Sequence, residues 1–126
     1  MNNAKVSARY LAERLSITEV AVRKRIKKLE DEGVIVGYKV VIDYQKAGLA
    51  ASVTGIDIEP NAIWNVIEIL KSIDEIRTIT ITSGAHTIVT EIVAKDLNHL
   101  ELIHRKIEEI NGVRGVYPSM ILKQVK

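Results

Sequence analysis

The segment from Thr18 to Gly33 constrains the structure of this chain more than any other. Its apolar positions follow the i, i+4, i+7 spacing of one helix face: Val22, Ile26 and Leu29. Thr18 can cap the N-terminus, because its hydroxyl can accept a hydrogen bond from an unpaired backbone N–H. Gly33 can end the helix in a left-handed conformation. The pattern predicts a helix over residues 19–32 with a definite buried side.

The opposite side of this predicted helix is basic. Four outward positions share one face at the spacing i, i+3, i+4, i+7: Val20, Arg23, Lys24 and Lys27. Residues 1–43 contain nine Lys or Arg and six Asp or Glu, a net charge of +3, whereas the remainder contains nine and ten, a net charge of −1. A basic end beside a neutral remainder indicates that one end binds a polyanion. A solvated helix face would give the same pattern, so both interpretations stay open.

A shorter helix is predicted just before this one. Ser7 can cap a helix that ends at Leu15, and Ser16-Ile17 can form a tight turn. The expected buried positions of the shorter helix are Leu11, Ala12 and Leu15. Two short helices joined by a tight turn, the second with a basic outer face, indicate a helix-turn-helix. The second helix of such a motif fits the major groove of double-stranded DNA.

In that interpretation, side chains near the N-terminus of the second helix reach base edges, and the later lysines contact phosphates. The acidic run 30–32 should end the contact, because it repels phosphate. Two β-rich runs around Gly37 predict a small hairpin, or wing, in which Ile35 and Val40 cover the helices. The predicted DNA-binding residues are Thr18, Glu19, Val20, Arg23, Lys24, Arg25, Lys27, Lys28 and Lys39.

A second domain is predicted over residues 51–126, after a DNA-binding domain over residues 1–43 and a short linker over residues 44–50. Its predicted elements are a strand over 51–58, a helix over 60–71, strands over 76–82 and 87–94, a helix capped by Asp96, and a strand over 113–123. The order βαββαβ is that of a ferredoxin-like split βαβ motif. The fold class is therefore α+β, a winged helix-turn-helix followed by a ferredoxin-like domain.

The strands of this second domain have apolar residues at both parities, so both faces of the sheet should be buried. Helices cover one face, and we expect a second subunit to cover the other. Pro118 cannot donate a ladder hydrogen bond, which places it at an edge or a bulge.

Several classes of protein lack support in the sequence. The chain has no cysteine, which excludes disulfides, thiolate metal ligands and thiol nucleophiles. No apolar run approaches the roughly 18 residues of a membrane span, and the polar N-terminus does not resemble a signal peptide. His99 and His104 are five apart on a helix and so do not share a face. We therefore expect a cytoplasmic protein without membrane contact, catalytic activity, metal or cofactor.

The stretch LAERLSITEVAVRKRIKKLEDEGVIVGYKVVID resembles the signature of the Lrp/AsnC (leucine-responsive, or feast/famine) transcription regulators. The resemblance is close over residues 5–43 and continues in element order to about residue 123. It implies a sequence-specific DNA-binding regulator whose second domain forms a homodimer sheet to sheet and assembles further, commonly into an octamer of four dimers. It also implies that effectors, usually amino acids, bind between dimers and shift assembly or DNA affinity.

The chain departs from this family in the loop that the resemblance assigns to the effector. The implied effector-binding residues are Ser83, Gly84, Ala85 and His86. Family members often have aspartates where Ala85 and Thr87 stand here, and such a carboxylate suits the ammonium group of an amino acid. Two alternatives stay open: His86 binds an anionic group, or this member has no effector. Thr87 is expected to begin a strand rather than contact a ligand.

The second departure is at the N-terminus. Family members normally have a further helix before the matched segment, whereas only Met1 to Ala4 precede the match here. The DNA-binding domain could be incomplete, could borrow a helix from a neighbouring subunit, or could follow a misplaced start. The rival hypothesis is a ligand-sensing or oligomerisation partner of a full-length regulator that does not bind DNA.

Overall fold

A computed structural model of the chain describes residues 3–15 and 17–126. The chain divides into two compact units, Met1–Val41 and Ile42–Lys126. None of the helices in these described ranges has the length and apolar character needed to cross a bilayer.

The first unit contains two helices, α1 (Asn3–Leu15) and α2 (Glu19–Asp31). The predicted caps of the second helix are confirmed: Thr18 Oγ1 accepts a hydrogen bond from Ala21 N at 3.2 Å, and Gly33 has a φ of +74°. The prediction that Ser7 caps the first helix is wrong, because α1 begins at Asn3 and includes Ser7. The residues from Asn3 to Val6 do not disfavour a helix strongly enough to stop α1 from extending toward the N-terminus.

The core of this unit is small. Among the side chains that the structure describes in this unit, the buried ones are Ala8, Ala12, Val22 and Ile26. Leu11 was expected to be buried and is 38 % exposed, because two helices alone cannot surround every apolar position. The same prediction for the Leu15 side chain, and the predicted turn at Ser16, fall outside the described atoms.

Residues 34–43 form no strand, so the predicted wing is wrong. Ile35 packs on the small core as expected. Val40 does not: it is 74 % exposed, and the other residues over 36–43 are exposed as well. Two short runs without a third strand or a helix beneath them gain too little from pairing to form a stable hairpin. Lys39 therefore lies in an irregular segment.

The second unit is a four-stranded antiparallel sheet with two helices. Its elements are β1 (Ala50–Ile58), α3 (Ile63–Lys71, after a 3-10 turn at Pro60–Ala62), β2 (Ile76–Ile81), β3 (Ile88–Ala94), α4 (Leu97–Glu108) and β4 (Val113–Met120). The strand order is β2-β3-β1-β4. The βαββαβ order predicted from the sequence is confirmed. Pro118 lies on the edge strand β4, as expected, and Asp96 caps α4 through a bond of 2.7 Å from His99 N.

Alternation along the strands separates the two faces of this sheet. Residues of even number on β1 and β3 face the helices, and among them Ile56, Ile88 and Ile92 belong to the hydrophobic core. The opposite, open face includes two exposed side chains, Val53 and Tyr117, which are 42 % and 53 % exposed. An antiparallel sheet with helices on one side has this layout.

The predicted linker forms an ordered turn within the second unit. Asp43 Oδ1 accepts a hydrogen bond from Lys46 N at 3.1 Å, and Leu49 N donates to Tyr44 O at 2.8 Å. The Tyr44 hydroxyl donates to the carboxylate of Glu91 on β3. This bond is the main reason that the pKa of Tyr44 is raised to about 12.

Candidate functional site

The outer face of α2 is exposed as the sequence predicted. Val20 near its start is 62 % exposed, and Thr18 lies directly before the helix. The basic side chains of this helix are all exposed: Arg23, Lys24, Arg25, Lys27 and Lys28. Eight of the nine predicted DNA-binding residues therefore lie on α2 or at its N-cap, and Lys39 lies in the irregular segment that follows.

Part of this positive charge is balanced within the helix. Arg23 Nη2 pairs with Glu19, Lys27 Nζ lies 3.6 Å from Asp31, and Lys28 Nζ lies 4.0 Å from Glu32. Among the described residues, Lys24 and Arg25 form no ion pair. Exposed pairs of this kind contribute only about 0–1 kcal/mol each. A phosphate or a base can therefore displace Glu19, Asp31 or Glu32 at little cost.

A second candidate site lies in the second unit, at the end of the sheet beside the loop between β2 and β3. It is an open cavity of about 440 Å³. Its lining combines the loop with the end of β1 and the start of the neighbouring strand β4: Asp57, Ile58, Thr82, Ser83, Gly84, Ala85, His86, Thr87 and Arg114. All four predicted effector-binding residues line this cavity.

His86 turns away from the exposed loop and lies against the open face of the sheet. Its ring stacks on Tyr117 with centroids 5.0 Å apart, and an added Cβ at Gly55 would overlap it. His86 Nδ1 lies 2.9 Å from Asp57 Oδ1, where the imidazole N–H donates to the carboxylate. The loop is closed by Thr82 Oγ1, which donates to His86 O at 2.8 Å. These contacts fix both the loop and the Asp57 carboxylate.

Arg114, from the start of β4, also lines this cavity. Its Nε and Nη2 atoms donate to the two oxygens of Glu59, at 2.7 Å and 2.8 Å. This bidentate bond raises the pKa of Arg114 and lowers that of Glu59, and the nearby Asp57 carboxylate adds to the rise at Arg114. The lining of the cavity therefore includes both a carboxylate and a guanidinium.

Thr87 lies one residue before β3, so the strand begins one position later than predicted. Its hydroxyl accepts a hydrogen bond from Ile58 N at 3.1 Å. Sequence reasoning missed Asp57 and Arg114 as members of this site, and Glu59 as the partner that orients Arg114. They are far from the loop in sequence, and only the pairing of β1 with β3 and β4 brings them to it.

A buried polar cluster was also missed. Ser52 Oγ lies 2.8 Å from His104 Nε2 and 2.8 Å from Thr54 Oγ1, beneath α4. Burial lowers the pKa of His104, because it disfavours the charged form, while the carboxylates of Glu101 and Glu108 raise it by less. The even parity of Ser52 and Thr54 on a half-buried strand was the available signal. Within the described residues, no group of His, Asp or Glu is placed to hold a metal ion.

Comparison with known proteins agrees with both units. A family model described as the Lrp/AsnC ligand binding domain matches residues 52–126, and a model described as a helix-turn-helix domain matches residues 1–43. The transcriptional regulator LrpA of Pyrococcus horikoshii is 40 % identical over 118 residues, which cover 92 % of this chain and 84 % of LrpA.

Solved structures resemble the chain in fold. AsnC of E. coli has a TM-score of 0.70 at 19 % identity, over 98 % of this chain and 85 % of that one. A feast or famine regulatory protein of M. tuberculosis, complexed with L-methionine, has a TM-score of 0.70 at 24 % identity, over 93 % of this chain and 80 % of that one. At such identities the likeness establishes the fold of the second unit and of the helix-turn-helix.

Proposed function

This chain belongs to the Lrp/AsnC family of DNA-binding transcription regulators, and from that premise we propose that it binds a specific operator and responds to an amino-acid-type effector through oligomer assembly. One observation supports the DNA-binding role above all. The outer face of α2 is exposed, basic, and anchored at a capped N-terminus, as a helix that enters the major groove requires.

Roles along α2 follow from distance to its N-terminus. Thr18, Glu19, Val20 and Arg23 lie in the first turns, where side chains of a recognition helix reach base edges. Lys27 and Lys28 lie in the last turns and are placed to contact phosphates, as is Lys39 beyond the helix. Dimer symmetry predicts a roughly palindromic operator, with half-sites about one helical turn apart or a multiple of it.

Gel-shift titration with the protein and an operator selected from a random-sequence pool tests this proposal. We expect Arg23→Ala to weaken binding to the operator more than to random DNA, and Lys27→Ala to weaken both alike. Lys71→Ala, an exposed lysine on α3, is the matched control and should change neither. Affinity should fall with salt at a log–log slope of about −0.9 per phosphate neutralised.

The same titration also distinguishes this proposal from the rival hypothesis. If the protein binds no DNA even at low salt, the result favours the rival: a partner of a full-length regulator that does not itself bind DNA. Equal losses on operator and random DNA for Arg23→Ala would remove its base-reading role and leave the phosphate contacts.

Assembly through the open face of the sheet is the second part of the proposal. Val53 and Tyr117 are exposed there, on adjacent strands, and a second copy of the sheet would bury both. We expect Val53→Lys to reduce the mass of the particle in solution. Leu102→Lys, on the exposed side of α4, is the control for the helix face. A loss of assembly in Leu102→Lys alone would place the first contact on the helices instead.

A further inference from the structure

The loop between β2 and β3 has no carboxylate, yet the cavity that it lines does. Asp57 enters this cavity from β1 and Arg114 from the start of β4. We propose that Asp57 binds the ammonium group of an α-amino-acid effector and that Arg114 binds its carboxylate. The inference rests on the proposed effector function and assigns the two charged groups that would recognise the ligand.

The geometry around Asp57 supports its role. One carboxylate oxygen, Oδ1, accepts the His86 bond, and no other described residue bonds the carboxylate. Oδ2 is thus available to an ammonium group. The imidazole is held over Gly55 and against Tyr117, so His86 is a positioning residue that fixes the carboxylate. A ligand that binds a carboxylate already held in place loses less conformational entropy than one that must order a mobile carboxylate.

Arg114 supplies the complementary charge. Two of its nitrogens, Nε and Nη2, are bound by Glu59, which orients the guanidinium and leaves Nη1 without a partner among the described residues. A planar guanidinium suits a carboxylate, and a charge-assisted bond of this type is roughly twice as strong as a neutral one.

The two opposite charges in this cavity disfavour both a simple anion and a simple cation as the ligand. A carboxylate ligand alone would meet repulsion from Asp57, and an amine alone would meet repulsion from Arg114. A ligand with both groups on one carbon avoids each repulsion. The exposed loop of Ser83, Gly84 and Ala85 borders the remaining space, where the effector side chain would lie.

Isothermal titration with matched ligands tests the assignment. The proteinogenic amino acids are screened first. The best binder is then compared with its deaminated acid and its decarboxylated amine. We expect each analogue to bind wild type at least about tenfold more weakly than the amino acid, because each loses a charge-assisted bond.

Variants then assign the charges to residues. Asp57→Asn should weaken amino-acid binding by about tenfold or more and leave the deaminated acid no weaker than in wild type. Arg114→Gln should show the mirror image and leave the decarboxylated amine no weaker. Asp57→Glu retains the charge and should restore part of the affinity. The control is Asp74→Asn, an exposed carboxylate in the turn before β2, which should change nothing.

The outcomes distinguish this inference from the proposed function. If an amino acid binds wild type and Asp57→Asn equally, the assignment fails while the effector function stands. If no amino acid binds wild type, the effector function fails and the assignment with it. Retained binding of the deaminated acid by Asp57→Asn shows that the variant is folded, so a selective loss of the amino acid reports the missing charge.

Discussion

Among the described side chains, the first unit buries four in its core, two of them alanine, whereas the second buries twelve, mostly isoleucine, leucine and valine. Burial of a large aliphatic side chain contributes about 1.5–3 kcal/mol, and that of an alanine far less. The contrast teaches that the two units use the same helix-capping chemistry with very different amounts of apolar packing behind it. The first unit should therefore open or unfold before the second.

The largest expected effect comes from the same substitution made in both cores. Ile107→Ala, at a fully buried site on α4, should lower the free energy of unfolding of the second unit by about 3–5 kcal/mol. Ile26→Ala should cost nearer about 2 kcal/mol, because a thin core can collapse around the gap. Urea unfolding followed by far-UV circular dichroism measures both.

In these experiments Ile26→Ala should shift the unfolding of the first unit to lower urea concentration and leave the unfolding of the second unchanged. A single transition that shifts equally in both variants would contradict the contrast, because it would mean that the units unfold as one.

A smaller effect is expected at the matched N-caps. Thr18 caps α2 and Asp96 caps α4, each by accepting a backbone N–H bond. Replacement of either by Ala should cost about 1 kcal/mol. The same loss should accelerate hydrogen exchange by a similar factor of about fivefold in each helix. Exchange along α2 should nevertheless be faster than along α4 in every variant, because the core behind α2 is smaller. Thr18→Ser keeps the hydroxyl and should restore slow exchange.

Equally slow exchange along α2 and α4 in the unsubstituted protein would indicate that the first unit has stability beyond its small core. That result would weaken the contrast without touching the fold of either unit.

The smallest expected effect is the pH dependence of stability that His104 causes. It is confined to the second unit, because the first has no histidine. Burial holds the pKa of His104 below its ordinary value of about 6.5. Above that value both folded and unfolded states are neutral and stability is complete. As the pH falls below it, the unfolded state takes up a proton before the folded state does, so stability is lost.

Urea unfolding at about pH 7.5 and about pH 5.5 measures this loss. His104→Gln should reduce the pH dependence, while His99→Gln should retain it. If the difference in stability between the two pH values is unchanged in His104→Gln, other groups cause the acid sensitivity of the second unit.

The sequence predicted most of the fold where apolar period and capping residues agreed. Thr18, Gly33 and Asp96 were located correctly because each cap depends on residues within about four positions. The wing at Gly37 failed because strand propensity is satisfied only when a partner strand or a core is present, and neither is local information.

The candidate sites divided in the same way. The basic face of α2 could be predicted because one helix carries it. The cavity beside Ser83 and His86 could not, because Asp57 and Arg114 reach it through strand pairing between distant segments. The inward turn of His86 was equally hidden, since it depends on the space that Gly55 leaves on a neighbouring strand.

The close approach of His86 to Gly55 ties the two positions to each other. With the imidazole in place, even an alanine at position 55 would push the ring off the sheet and release Asp57 with it. A larger residue at 55 should be tolerated only after position 86 has become small. Selection for altered effector response should therefore recover changes at these two positions as pairs, in that order, and seldom singly.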